Sequence, residues 1–222
     1  MPHDFEHRLI AALYDPATWI AERTMFHPHR EYLAADLDGR VLDVGAGTGA
    51  MFPYFAAALE GGADLDLHAI EPDPHMRRRA VKKAEALGLE VDVQSARAES
   101  LPYPDDSFDV VVASLVFCTI PGVEEALEET ARVLRPDGEF RFFEHVAADG
   151  WRGSVQHVLA PLWCRLAGGC HLTRRSMEAF VAVDEFEVLE VERLPTDVPP
   201  ITPFVRGRLR RRRRSSWPSA DE

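Results

Sequence analysis

Lysine is almost missing from this chain. Only Lys82 and Lys83 occur, against 37 aspartates and glutamates, and the formal net charge is −12. An acidic, lysine-poor surface suits a salt-loaded cytoplasm, where screening removes self-repulsion; an arginine-biased genome explains the shortage equally well. Cysteine is scarce too. Cys118, Cys164 and Cys170 are odd in number and form no C-x-x-C pair, which argues against a disulfide scaffold and for a reducing, cytoplasmic setting. No apolar run approaches the roughly 20 residues that span a bilayer. Met1-Pro2-His3-Asp4 is no signal peptide either. The 222 residues suffice for one large domain with a substantial core.

What the chain does have is Val41-Leu42-Asp43-Val44-Gly45-Ala46-Gly47-Thr48-Gly49, followed by the helix-like Met51, Phe52, Phe55 and Leu59. That reads as strand, tight turn, helix. Glycines serve the turn's unusual backbone angles and let a ligand approach the main chain. Gly45-x-Gly47-x-x-Ala50 also fits a loose dinucleotide pattern. Asp43 weighs against that reading, because a pyrophosphate on helix-terminal N–H groups gains nothing from an anion there. A ligand with cationic and hydroxyl groups and no phosphate would gain.

The alternation continues. Leu65 to Ile70 reads as a second strand, stopped by Glu71-Pro72-Asp73-Pro74, and a helix follows from His75 to Leu87 with Gly88 as its stop. Glu71 therefore sits at a strand's carboxyl end, placed to accept both hydroxyls of a ribose; the plainer role of helix N-cap suits Asp73 better. Glu90 to Gln94 makes a third strand, and Ser95 to Pro102 a loop. Phe108 to Ala113 is almost wholly apolar, as a central parallel strand should be, with Ser114 and Leu115 at its carboxyl end. A helix over Val123 to Leu134, a turn at Arg135-Pro136-Asp137-Gly138 and a strand over Glu139 to Phe143 complete a doubly wound, mostly parallel α/β sheet. Ligands bind outside the carboxyl ends of such strands. Ahead of the sheet, Phe5 to Ile20 reads as two short helices broken at Asp15-Pro16, either a lid over the ligand mouth or a cap on one edge of the core.

The glycine stretch resembles motif I of the class I methyltransferases. Arg132 to Gly138, Phe142-Phe143-Glu144-His145-Val146-Ala147-Ala148 and Gly169-Cys170-His171-Leu172-Thr173-Arg174 resemble the methyltransferase-like proteins that methylate alkyl thiols. The resemblance implies S-adenosylmethionine as cofactor, a seven-stranded Rossmann-like sheet, and a terminal antiparallel hairpin at Phe186 to Leu194 and Ile201 to Leu209. It implies cofactor contacts from Asp43, Gly45, Ala46, Gly47, Glu71, Pro72, Ala98, Glu99, Ser114 and Leu115. Arg97 stands where the family has an acid for the adenine amino group, so Glu99 or backbone near Ala98 takes that role. The expected layout is a helical cap at 1–36, a methyltransferase domain at 37–210 and a basic disordered tail at 211–222.

A thiol acceptor must become a thiolate, and its pKa of about 8.5 calls for a base. His145, at a strand's carboxyl end, and His157, on a helix over Gly153 to Leu166, are the candidate catalytic residues; His171 is a third histidine nearby. Leu159, Leu162 and Trp163 offer an apolar wall. Cys164, Cys170 and His171 provide three ligands where tetrahedral zinc wants four, so no metal is expected. The seven arginines from Arg206 to Arg214 read as a solvated appendage with weak contact to anionic membranes. They lack interleaved aromatics, so no specific nucleic acid is expected. A small-molecule thiol is the first-choice acceptor; a lipid or quinone, or RNA held by the arginines, are the alternatives.

Overall fold

The computed structural model describes residues 21–166, 169–194 and 203–213. The expected helices of Phe5 to Ile20 lie outside them. A π-helical turn, Glu22–Phe26, runs into α1, His27–Ala34. The sheet then alternates with helices: β1 Gly39–Val44, α2 Phe52–Glu60, β2 Leu65–Ile70, α3 Pro74–Leu87, β3 Asp92–Gln94, β4 Phe108–Ser114, α4 Val123–Val133 and β5 Leu134–His145. After it come α5 Gly150–Leu166, α6 Ser176–Ala182, β6 Phe186–Leu194 and β7 Phe204–Arg211. The seven strands are ordered β3-β2-β1-β4-β5-β7-β6. The first five are parallel, while β7 runs antiparallel to both β5 and β6.

Both faces of the sheet are covered, which is why β1 and β4 carry apolar residues without alternation. Val41, Val110, Val112 and Phe143 pack with Phe26, Leu33 and Phe52. Leu42, Val111, Phe140 and Phe142 pack with Leu127 and Phe180. Phe180 is the anchor of α6, a helix the sequence reading did not foresee, and its ring lies 4.6 Å from Phe142, edge to face. The α3 boundaries follow the local chemistry as expected. Asp73 Oδ1 accepts from the amides of His75 and Met76, and Gly88 closes the helix in the left-handed conformation.

Two expectations need correction. Arg135 to Gly138 belongs to β5 and is no free turn; the ladder to β4 shifts register between Phe108 and Val110. The last strand, expected to end at Leu209, runs on to Arg211, so most of the arginine run is strand and not appendage. Arg206 pairs with Glu192 at 2.6 Å and lies over the Tyr32 ring, and Arg208 pairs with Glu139 at 2.7 Å. Arg211 is buried, bonded to Asp106 and to the Leu134 carbonyl, and exposed Arg213 pairs with Asp137. Carboxylates of the protein itself thus face four of these arginines. Arg214 and beyond lie outside the described residues.

A truncation pair tests this. Ending the chain after Arg213 should leave thermal stability unchanged. Ending it after Arg210 should lower stability by about 1–3 kcal/mol, because the Leu134 carbonyl loses a buried charged donor. Equal melting temperatures for the two would return the run to the status of an appendage.

Candidate active site

The parallel sheet reverses chain order between β1 and β4, and such a switch point opens a crevice at the strands' carboxyl ends. A cavity lies there, lined from four directions: Gly45, Ala46 and Gly47 after β1, Glu71 and Pro72 after β2, Arg97, Ala98 and Glu99 after β3, and Ser114 and Leu115 after β4. Nine of the ten residues expected to contact a ligand thus share one cavity. The tenth, Asp43, is buried in β1 beneath it.

The two glycines of the loop do different things. A Cβ on Gly45 would stand 2.1 Å from Val116 Cγ2, with the backbone at φ +68. Gly45 therefore lets the loop close on the β4 segment. Gly47, at φ +58, has nothing within 4 Å of an added Cβ. Its bare side is free to meet a ligand.

Glu71 organises the opposite wall. Its Oε2 accepts from the Gly47 amide and its Oε1 from the Asp73 amide, both at 2.8 Å. Each oxygen retains acceptor capacity beyond that bond. Arg77 donates to the Glu71 carbonyl at 2.8 Å and so fixes the strand end. Burial pushes the Glu71 carboxyl up to about 7, and the two amides oppose the rise. Burial likewise pushes Asp43 up to about 7, against the attraction of Arg30. Asp43 Oδ2 is a buried acceptor with no hydrogen-bond partner. Glu99 is less available, since its Oε1 takes Arg97 Nη2 at 3.1 Å and the Gly122 amide at 3.4 Å.

Arg30 is the residue sequence reasoning missed on this side. The residue is 1% exposed, and its guanidinium grips Glu22 with two bonds of 2.7 and 2.9 Å and donates to Ser114 Oγ at 2.9 Å. It lines the cavity and ties the helical cap to its floor.

The two histidines occupy the expected elements, the end of β5 and the helix α5, but face away from the cavity. His157 lies on the exposed face of α5, with Nδ1 against the Gly153 carbonyl at 3.1 Å. Helical phase turns its neighbour inward instead: Gln156 is buried and accepts from the Ala148 amide. His145 is buried but does not line the cavity; its Nε2 lies 2.9 Å from Cys170 Sγ. Neither histidine lines the cavity. The apolar wall is also broken, because Leu162 is largely exposed while Trp163 turns its indole N–H onto Cys170 Sγ at 3.3 Å. Arg174 points inward only to clamp the carbonyls of Phe117 and Ile120.

Around His145 the chain gathers a polar cluster that the sequence did not announce. Cys118, His145 and Cys170 are all buried, with their ligand atoms within 4.8 Å of one another. A hydrogen bond from Cys118 and the neighbouring imidazole push the Cys170 thiol down, and the same pairing pushes Cys118 up. Burial opposes a charge on His145, yet its bond to Cys170 raises the imidazole on balance. Glu144, pushed up to about 7 by burial, accepts from the amides of Val116 and Phe117 at 2.7 and 2.9 Å. It thereby fixes the segment that separates cluster from cavity.

Residues 42–142 match a family model described as a methyltransferase domain. Human thiol S-methyltransferase TMT1A is 35% identical over 172 residues, spanning 75% of this chain and 68% of that protein. Phosphatidylethanolamine N-methyltransferase of Cereibacter sphaeroides is 35% identical over 125 residues, 55% of this chain and 59% of that one. Among solved structures, the YcgJ protein of Bacillus subtilis superposes with a TM-score of 0.65 at 22% identity, covering 84% of this chain and all of that one.

Proposed function

Because the chain belongs to the class I S-adenosylmethionine-dependent methyltransferases, in the family of the thiol S-methyltransferases, we propose that it methylates a small alkyl thiol. The observation that carries the acceptor is the 35% identity to TMT1A across most of both chains. The cofactor fits the cavity's own chemistry: an acid-lined, glycine-floored crevice for a ligand rich in hydroxyls and cationic groups. Bound there, S-adenosylmethionine supplies an electrophilic methyl group, and an acceptor thiol gives up its proton as it takes that group. Glu71 receives the ribose hydroxyls on the lone pairs its amide bonds leave. Ala98 and Glu99 flank the adenine, and Ser114 and Leu115 the methionine end. The bare face of Gly47 allows close approach. Orientation of this kind supplies up to roughly 7–11 kcal/mol in ideal cases.

The free cysteines of the chain suit a reducing, cytoplasmic compartment. Among the described residues no helix is long and apolar enough to cross a membrane. A transfer assay with radiolabelled cofactor against short alkyl thiols, phenols, quinones and phosphatidylethanolamine vesicles decides the acceptor. Labelled thioether is the expected product. Labelled lipid or quinone with unlabelled thiols would overturn the reading.

The loop yields a sharper test of the cofactor. Gly47→Ala should cost roughly 1–2 kcal/mol of stability for its left-handed backbone but abolish measurable S-adenosylhomocysteine binding. Gly45→Ala adds the collision with Val116, so its stability loss should be larger, about 2–5 kcal/mol. Calorimetric titration and thermal melts separate the two effects. Undiminished binding in Gly47→Ala would remove the ligand from that side of the loop.

A further inference from the structure

The thiol's proton poses a chemical problem in this cavity: among the described residues, no histidine or lysine lines it. The nearest nucleophile chemistry lies one layer behind, in three side chains from three separate segments. Cys118 comes from the segment after β4, His145 from the end of β5, and Cys170 from the loop after α5. We propose that Cys118, His145 and Cys170 hold a zinc ion, with the fourth coordination position open to an outside thiol. The last clause rests on the thiol methyltransferase reading; the metal site does not.

The donor set is the first argument. Two sulfurs and one imidazole nitrogen are what a soft-to-borderline divalent ion selects, and a three-ligand set is that of catalytic zinc sites, which keep one position free. Geometry is the second. Tetrahedral bonds of about 2.0–2.3 Å place neighbouring ligand atoms roughly 3.4–3.8 Å apart. The three atoms lie within 4.8 Å of one another, with His145 Nε2 and Cys170 Sγ 2.9 Å apart. Pair distances need to change by no more than about 1.4 Å to reach that spacing.

The supports are the third argument. Trp163 directs its N–H at Cys170 Sγ, as outer-shell donors do toward metal thiolates. The His171 amide bonds the Cys118 carbonyl at 3.0 Å, and Ala147 bonds the Arg174 carbonyl at 2.9 Å, so the cysteine loop is pinned to both partner segments. Arg174 adds its clamp on Phe117 and Ile120. His145 Nδ1 and Glu144 Oε2 are buried without hydrogen-bond partners, so the interior around the cluster has polar capacity that its hydrogen bonds leave unused.

The chemical consequence follows from charge. A thiol that coordinates zinc is deprotonated by doing so. The acceptor's proton passes to solvent, its sulfur keeps an electron pair for the methyl carbon, and no separate base is needed. Cys118 immediately precedes Thr119 and Ile120, which line the cavity, so the ion would sit close behind that wall.

The test uses the full-length protein, reduced, stripped of metal with a chelator and then titrated with Co(II) and Zn(II). One equivalent of Co(II) should bind and give the intense near-ultraviolet band of thiolate-to-cobalt charge transfer. Zn(II) should displace it and raise the melting temperature. Cys118→Ser and Cys170→Ser should each weaken Zn(II) binding at least tenfold, and their melts without metal should match the stripped parent, which distinguishes a lost ligand from a failed fold. Adding an alkyl thiol to the Co(II) form should intensify the band. No stoichiometric metal, or a Cys118–Cys170 disulfide in its place, overturns the site. Stoichiometric Co(II) whose spectrum ignores added thiol overturns the open position. Thiol methylation by metal-free protein at the full rate overturns the catalytic role and leaves the proposed acceptor standing.

Discussion

Arg30→Met should destabilise the protein by about 3–5 kcal/mol at neutral pH, the usual cost of removing one partner from a buried ion pair. For a chain of this size that is roughly a 10 °C fall in melting temperature. Methionine preserves most of the hydrocarbon that packs beneath α1, so the loss is electrostatic. Glu22 loses both its bonds, Ser114 its donor, and Asp43 a cation that offsets its burial. The pH dependence gives the cause away. Asp43 is already pushed up to about 7, and Arg30 holds it from rising further. A raised acid adds stability fully below its unfolded pKa and loses it as pH rises through the folded one. The variant's deficit should therefore be smaller at pH 5, where Asp43 is protonated with or without its neighbour, and larger at pH 8. Arg30→Lys should recover part of the loss, since the charge returns without the two-pronged grip on Glu22. A deficit under 1 kcal/mol, or one that does not grow with pH, would contradict this account.

Arg30 also marks where the sequence ceases to be legible. The glycine loop, Glu71 and the Asp73 cap could be read because each depends on residues a few positions apart: a strand end, a turn and a helix start. Their convergence on one cavity follows from the parallel topology, since every strand delivers its carboxyl end to the same side. Arg30 has no such local pattern. It gains its role from Ser114, 84 positions away. The same holds for Cys118, His145 and Cys170, whose meeting depends on how the loop after α5 folds back. Local spacing suggested Cys164, Cys170 and His171 as the related group, and distance along the chain was the wrong measure.

Phase and charge misled in two further places. One residue of helical rotation, about 100°, decides that Gln156 is buried and His157 exposed. In the arginine run, the density of charge concealed how far the last strand continues, to Arg211 and not Leu209. Phe204, Val205, Gly207 and Leu209 are buried between arginines that reach out to carboxylates on β5 and β6. Alternation was present all along, but the partners that make an arginine-rich strand tolerable lie on other strands.

Cofactor binding should be linked to a proton at Glu71. Burial holds its carboxyl at about 7 in the free protein, with Asp43 and Asp73 as neighbouring acids and Arg77 as the nearby cation. Near neutral pH the group is thus about half protonated. A ligand that donates two hydroxyls to it prefers the carboxylate, so binding draws the proton off. S-adenosylhomocysteine affinity should accordingly rise with pH and level off above about 7, falling close to tenfold per pH unit well below it. Calorimetry in two buffers of different ionisation enthalpy should register proton release at pH 6.5. The stability of the free protein should move the other way: the raised acid favours the fold at low pH, and that contribution is lost as pH rises through about 7. The thermal shift produced by ligand should therefore grow with pH. Glu71→Gln should weaken binding at pH 8 by about 1–3 kcal/mol, roughly 5- to 150-fold, and flatten the pH dependence to whatever Asp43 contributes. If the variant binds more weakly yet keeps the parent's slope and proton release, the linked proton belongs to Asp43 instead. If the parent binds equally well at pH 6 and pH 8, neither acid changes its charge on binding, and the ribose is held by something other than a carboxylate.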